Sequence, residues 1–252
     1  MISLASIDIL WPAFLAGLLV LTSHVPLGRQ VLQRGIIFID LAVAQAAATG
    51  ALASQLLLPD SSEPVRQAGA LLAALLVAVL LHRLAHRHKK TQEALIGGSF
   101  VLLASLAVLL ASHDPHGSDH LHAALSGQIL WVSSTQLMWL AGASIIAILL
   151  ARFTRGELLN FYLPLAIAVT AAVQAIGVYL VFACLIFPAM AVSRMSPRGG
   201  LAVGIIIGAA GVASGLLFSL AADLPSGPVA VITIALAALL STVRAPQHQD
   251  QI

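Results

Sequence analysis

Residues 201–221 read LAVGIIIGAAGVASGLLFSLA, a run of 21 residues without a charge. A helix needs about 20 apolar residues to cross the hydrocarbon core of a bilayer, and this stretch supplies them. Further apolar runs lie at about 9–27, 36–58, 66–85, 94–112, 136–151, 160–177, 178–193 and 228–243. Together they predict an all-α, polytopic membrane protein of about nine transmembrane helices, in a single domain over 1–252. The pair 160–177 and 178–193 is short and meets at Gly177, so a tight hairpin or broken helices buried in the bundle are expected there. Composition agrees: the 252 residues are 60% hydrophobic and 9% charged, whereas a soluble domain carries roughly 25% charged residues. A soluble enzyme is excluded, and a net charge of +2 gives no basis for nucleic-acid binding. The lone Cys184 excludes an intramolecular disulfide. Residues 1–9 contain no Lys or Arg, so the first run is expected to be a retained span and not a cleaved signal.

Orientation follows from the tendency of cytoplasmic loops to keep Lys and Arg. With the N-terminus outside and nine spans threaded, 11 of the 12 basic residues fall on the cytoplasmic side, and only Arg66 falls outside. Asp60, Glu63, Asp114, Asp119 and Asp223 fall outside, and the polar tail 245–252 is cytoplasmic. In the run quoted first, Gly204, Gly208, Gly211 and Gly215 share one helical face, with Ser219 continuing it. Small residues let helices approach closely in lipid, so this face is expected to make a tight contact inside the bundle or a dimer seam.

Three groups of polar residues stand out. The segment His113-Asp114-Pro115-His116-Gly117-Ser118-Asp119-His120-Leu121-His122 holds four of the nine histidines. Pro115 and Gly117 predict a loop, placed outside, where His113, Asp114, His116, Asp119, His120 and His122 offer imidazole and carboxylate ligands that suit zinc. A solvated polar connection is the alternative. Asp40 is the only acidic residue placed within a span; such a group usually faces a bundle interior or a water-filled path, unless it stays hydrated beside Arg34 at the cytoplasmic end. His82, His86 and His88 lie among Arg83, Arg87, Lys89 and Lys90 and are expected to be part of a cytoplasmic anchor. His24 and His248 are isolated. The only lysines, Lys89 and Lys90, follow no glycine-rich loop, so the chain lacks the phosphate-binding signature of an ATPase.

Four segments, in order, carry a family resemblance. These are Arg34-Gly35-Ile36-Ile37-Phe38-Ile39-Asp40-Leu41-Ala42-Val43-Ala44-Gln45 with Gly50; Leu125-Ser126-Gly127-Gln128-Ile129-Leu130-Trp131-Val132; Gly177 through Pro188-Ala189; and Ala222-Asp223-Leu224-Pro225-Ser226-Gly227-Pro228. The chain resembles the permease subunit of bacterial ATP-binding-cassette importers for zinc, manganese and iron. The resemblance implies a homodimeric permease of the bacterial inner membrane, a cytoplasmic ATP-binding subunit that hydrolyses ATP, and a periplasmic or extracellular binding protein that delivers the metal. The metal is then cargo, zinc first, and no cofactor is bound permanently.

The resemblance also places the translocation path at Asp40, Gln45, Gln128 and Asp223. The family's Asp-x-x-x-His pair falls on Leu41 and Gln45, with Asp40 one residue off, and Gln128 replaces an acidic residue. Neutral Gln is the weaker ligand, which moves the expected selection toward the external His-rich loop. The segment that docks on the ATPase is shortened to about 152–157, so Arg152, Arg155 and Glu157, with Arg194 and Arg198, are the docking candidates. A gradient-driven secondary transporter and a non-transporting membrane metal sensor or scaffold are the alternatives.

Overall fold

The computed structural model describes residues 4–87, 89–113 and 117–244, all of whose regular structure is helical. The helices are α1 (Leu4–Arg34), α2 (Ile39–Leu57), α3 (Glu63–Arg87), α4 (Gln92–Ala111), α5 (Gly117–Ser126), α6 (Ser134–Phe153), α7 (Leu163–Ile176), α8 (Val178–Ala191), α9 (Pro197–Ala222) and α10 (Ser226–Arg244). Each apolar run is helical over most of its length. Six segments are long and apolar enough to cross a membrane: α1 from Ile9, α3 as far as Ala85, α4, α6, the segment Leu158–Ile176 that contains α7, and α9. Asp40, Gln45 and Gln55 dilute the apolar character of α2, and α8 and α10 are shorter apolar helices.

Burial sorts the helices into inner and outer. Over the most apolar 18-residue stretch of each, the Leu158–Ile176 segment is 67% buried, against 17% for α4 and α6. Leu72, Leu76, Leu102 and Ile145 on the outer helices are exposed, an apolar surface suited to lipid. Helix starts are chemically legible. At α6 the Ser133 hydroxyl accepts from the Gln136 amide at 3.2 Å while Gln136 Oε1 accepts from the Ser133 amide at 2.9 Å, a reciprocal cap that satisfies two orphan donors.

The chain turns back at Gly177, because the start of α7 and the end of α8 both lie beside the end of α1, but the legs are splayed and do not form a closely packed hairpin. Gly177 (φ +81) both ends α7 and starts α8. The two legs touch each other little: α7 packs on α6, α2 and α3, whereas α8 packs on α1 and α10. The glycine face of α9 is an internal contact. A Cβ at Gly204 would meet Val25 at 2.9 Å and one at Gly208 would meet Leu21 at 2.4 Å, so α1 lies on the first half. At Gly211 and Gly215 a Cβ would lie 2.6 Å from the Cα atoms of Ile234 and Ala230, so α10 lies on the second.

The His-rich segment corrects an expectation. It was expected to be a loop through 122, but helix α5 starts at Gly117. Gly117 and Pro115 stop a helix only from continuing through them; here the glycine occupies the first helical position, where a Cβ would lie 1.9 Å from the Ala111 carbonyl oxygen. Asp114, His116 and the tail 245–252 lie outside the described residues.

Candidate translocation path

Three of the segments that carry the resemblance, far apart in sequence, meet at one point. Gly127, just after α5, has φ +71, and a Cβ there would lie 2.0 Å from the Ile176 carbonyl oxygen. Conversely, a Cβ on Gly177 would lie 2.3 Å from the Gly127 nitrogen. From the third segment, a Cβ on Gly227 would lie 2.1 Å from the Ser126 carbonyl oxygen. The end of α5, the break between α7 and α8, and the start of α10 therefore cross backbone against backbone, which only glycine permits at this spacing.

The fourth segment, on α2, runs past this crossing. Leu41, Gln45, Ala48, Leu52 and Gln55 are spaced 4, 3, 4 and 3 residues apart, which keeps them on one helical face. The first two line an apolar groove of about 430 Å³, walled by Phe100, Val178, Tyr179 and Phe182 among others. The last three line a second cavity of about 500 Å³, which holds the amides of Gln55, Gln128, Gln136 and Gln174 and the Glu63–Arg66 ion pair. Ala124 belongs to one cavity and Leu125 to the other, as do Ala175 and Val178. The glycine crossing thus lies between an amide-lined cavity and an apolar groove that share one face of α2. Gly50 fixes the α2–α3 contact beside it: a Cβ there would lie 2.6 Å from the Gly69 carbonyl oxygen.

The expected path residues divide. Gln45 lines the groove and Gln128 the amide cavity. Asp40 lines neither. It is buried in the first turn of α2, and neither of its carboxylate oxygens makes a hydrogen bond. A helix N-terminus favours a carboxylate there. Asp223 is exposed and lines neither cavity; with φ 54 it is the left-handed residue that ends α9, a conformation Asp tolerates better than most side chains. Gln55, Gln136 and Gln174 were missed, although a polar side chain inside or at the edge of an apolar run is a legible signal.

Of the expected external ligands, His113 and His122 are described with their side chains, and both are exposed. His113 Nδ1 bonds the Leu109 carbonyl at 2.9 Å, and His122 Nδ1 lies 3.3 Å from Ser126 Oγ. The side chains of Asp119 and His120 lie outside the described residues. Among the described residues no three of His, Cys, Asp and Glu gather in a group that could hold a metal ion.

The docking candidates share one end of the bundle. Arg152, Arg155, Glu157, Arg194 and Arg198 are all exposed, and both of their loops abut the end of α1. Arg34 Nε lies 3.6 Å from Glu157 Oε1, and its guanidinium carbon 4.1 Å above the Phe161 ring. Leu158–Tyr162 forms a π turn leading into α7. Arg29, one and a half turns earlier on α1, bonds the turn before α9.

A helical bundle with a lipid-suited exterior and six segments long and apolar enough to cross a bilayer defines a multi-pass membrane protein. The chain belongs to the ABC 3 transport family, whose profile matches residues 6–163 and 158–245, and the resemblance drawn from the four segments is borne out. Over 263 aligned residues it is 28% identical to the manganese transport system membrane protein MntC of Bacillus subtilis, covering 93% of this chain and 60% of that protein. The chain thus spans about 60% of the length of this curated relative. In fold it is similar to PsaBC from Streptococcus pneumoniae, solved in complex with Fab, with a TM-score of 0.74 and 21% identity, covering 94% of this chain and 92% of that one.

Proposed function

We propose that this chain is the membrane-spanning permease subunit of an ATP-driven importer of a divalent transition metal, working as a homodimer in the bacterial inner membrane. Its N-terminus is outside, an external binding protein delivers the ion, and an ATP-binding subunit docks on the basic end through the 152–157 and 194–198 segments. The observation that carries this reading is the stripe on α2, which lines both cavities on either side of the glycine crossing. In the proposed cycle the ion enters the amide-lined cavity and passes the crossing into the groove, whose open side a second copy completes. Leu41 and Gln45 there offer a single neutral ligand, so the ion passes without a strong trap.

Zinc is the first choice of cargo, because the segment 113–122 supplies imidazole and carboxylate. Manganese is the second, supported by the oxygen-donating amides of the cavity, since carbonyl oxygen suits manganese. The test is reconstitution with the ATP-binding subunit and the binding protein, followed by uptake of zinc and manganese with and without ATP. ATP-dependent uptake is expected. Uptake that persists without nucleotide and collapses with the ion gradient would make the chain a secondary transporter instead.

A further inference from the structure

Arg29 is half-buried on α1, five residues before its end at Arg34, and its guanidinium spans the gap to the turn between α8 and α9. Nη2 donates to the Met195 carbonyl at 2.9 Å, and Nη1 is shared by the carbonyls of Ser196 and Pro197, both at 3.3 Å. One planar fork of donors holds three consecutive carbonyls, which the single ammonium of Lys does not reproduce. Two glycines make the room. A Cβ at Gly28 would lie 2.0 Å from the Leu185 carbonyl oxygen, so α1 rides directly on the backbone of α8. Gly200 is buried in the first turn of α9, and a Cβ there would lie 2.3 Å from Arg29 Nη1.

The placement runs against the helix field, since the N-terminal end of a helix disfavours a cation. The carbonyl bonds therefore hold the guanidinium where it is. Residues 193–199 are otherwise exposed. Beside Arg29, Ser193 faces Leu32 and Gln33 across a crevice of about 160 Å³, so the turn is tied to α1 by the guanidinium and not by close packing along its length.

We propose that Arg29 is a positioning residue: it sets the conformation in which the Ser193–Arg198 turn meets the ATP-binding subunit, and so governs how ATP hydrolysis is coupled to transport. This rests on reading that turn as a docking segment. The test uses the full permease with the ATP-binding subunit that copurifies with it, and the variants Arg29→Gln, Arg29→Lys, Gly200→Ala and the double Arg29→Ala/Gly200→Ala.

Arg29→Gln and Gly200→Ala are each expected to lower permease-stimulated ATP turnover at least about fivefold, the lower range for coupling between linked sites, with metal uptake falling in parallel. Arg29→Lys recovers part of it. Alanine is the better helix former, which offsets part of the loss of the guanidinium bonds, so Gly200→Ala should change the melting temperature little while coupling falls, which separates positioning from loss of stability. In the Arg29→Ala background Gly200→Ala should have a much smaller further effect, because its methyl then meets only the Met195 Cβ, at 3.1 Å. Hydrogen exchange at the 193–196 amides should quicken in Arg29→Gln. Wild-type turnover in Gly200→Ala, fully multiplicative effects in the double variant, or unchanged exchange would each overturn the proposal. If Ser193→Cys fails to cross-link to the ATP-binding subunit while exchange still quickens in Arg29→Gln, the docking reading falls and Arg29 is left with a local structural contact only.

Discussion

Replacing Gly127 with alanine tests the backbone crossing between the two cavities. Two costs add at this position. Its φ of +71 is left-handed, which costs an L-residue roughly 1–2 kcal/mol. The new methyl would also lie 2.0 Å from the Ile176 carbonyl oxygen and 2.7 Å from the Gly177 nitrogen. Both are backbone atoms of the α7–α8 break and cannot rotate away, so an overpacking cost of about 1–3 kcal/mol follows. The sum is about 2–5 kcal/mol. Two controls separate the parts. Gly35 has φ +67 and nothing within 4 Å of a would-be Cβ, so Gly35→Ala carries the conformational cost alone. Gly98 is helical with nothing within 4 Å, so Gly98→Ala should stabilise by about 0.5–1 kcal/mol. Thermal melts of the detergent-purified protein should rank Gly98→Ala above wild type, then Gly35→Ala, then Gly127→Ala. A Gly127→Ala melt that coincides with Gly35→Ala would refute the tight crossing.

Three further outcomes follow from the same geometry. Gly211→Ala should lower the melting temperature more than Gly208→Ala, because the first methyl meets the Ile234 Cα and the second the movable end of Leu21; the expected cost at Gly211 is about 1–3 kcal/mol. Arg34→Gln removes the contacts to Glu157 and Phe161 and should cost about 1 kcal/mol, with only the Glu157 part shrinking when the melt is repeated in high salt. Leu41→Asp with Gln45→His places two strong ligands one helical turn apart on the groove, and should tighten zinc binding by the purified permease in calorimetry; no change in zinc affinity would argue against the groove as path.

Hydrophobic runs fix where helices form, and even the Gly177 break is written in a glycine between two short runs. What stays hidden is the phase of each helix against its neighbours. On α2, Asp40 is the obvious ionisable residue, yet the face that lines the cavities begins one residue later at Leu41, and only packing decides that. The glycines of α9 announce a close contact, but not that α1 takes one half and α10 the other. Helix α5 was obscured because Pro115 and Gly117 act as breakers mid-helix and as acceptable neighbours at a helix start. The bonds from Arg29 to a turn 166–168 residues away have no sequence signal at all, beyond a charge that loop topology already accounts for.

Helix α8 gives these separate features a common frame. It starts at Gly177, in the crossing between the cavities, and ends at Ala191, just before the turn that Arg29 holds. Its 14 residues span about 21 Å at 1.5 Å per residue. Along that length it is pinned twice by backbone approach, at Gly177 against Gly127 and at Leu185 against Gly28. Pro188 lies between the second pin and the turn; lacking an amide hydrogen, it loosens the last stretch of the helix. The part from Val178 to Leu185 is therefore the stiff arm. A displacement of the turn reaches that arm only to the extent that the junction at Pro188 is constrained, and the three carbonyl bonds from α1 to the turn supply that constraint. Stiffening the junction by restoring the missing hydrogen bond, as in Pro188→Ala, should make ATP turnover less dependent on Arg29. Equal losses from Arg29→Gln with and without Pro188→Ala would show that the arm and the turn are not mechanically joined.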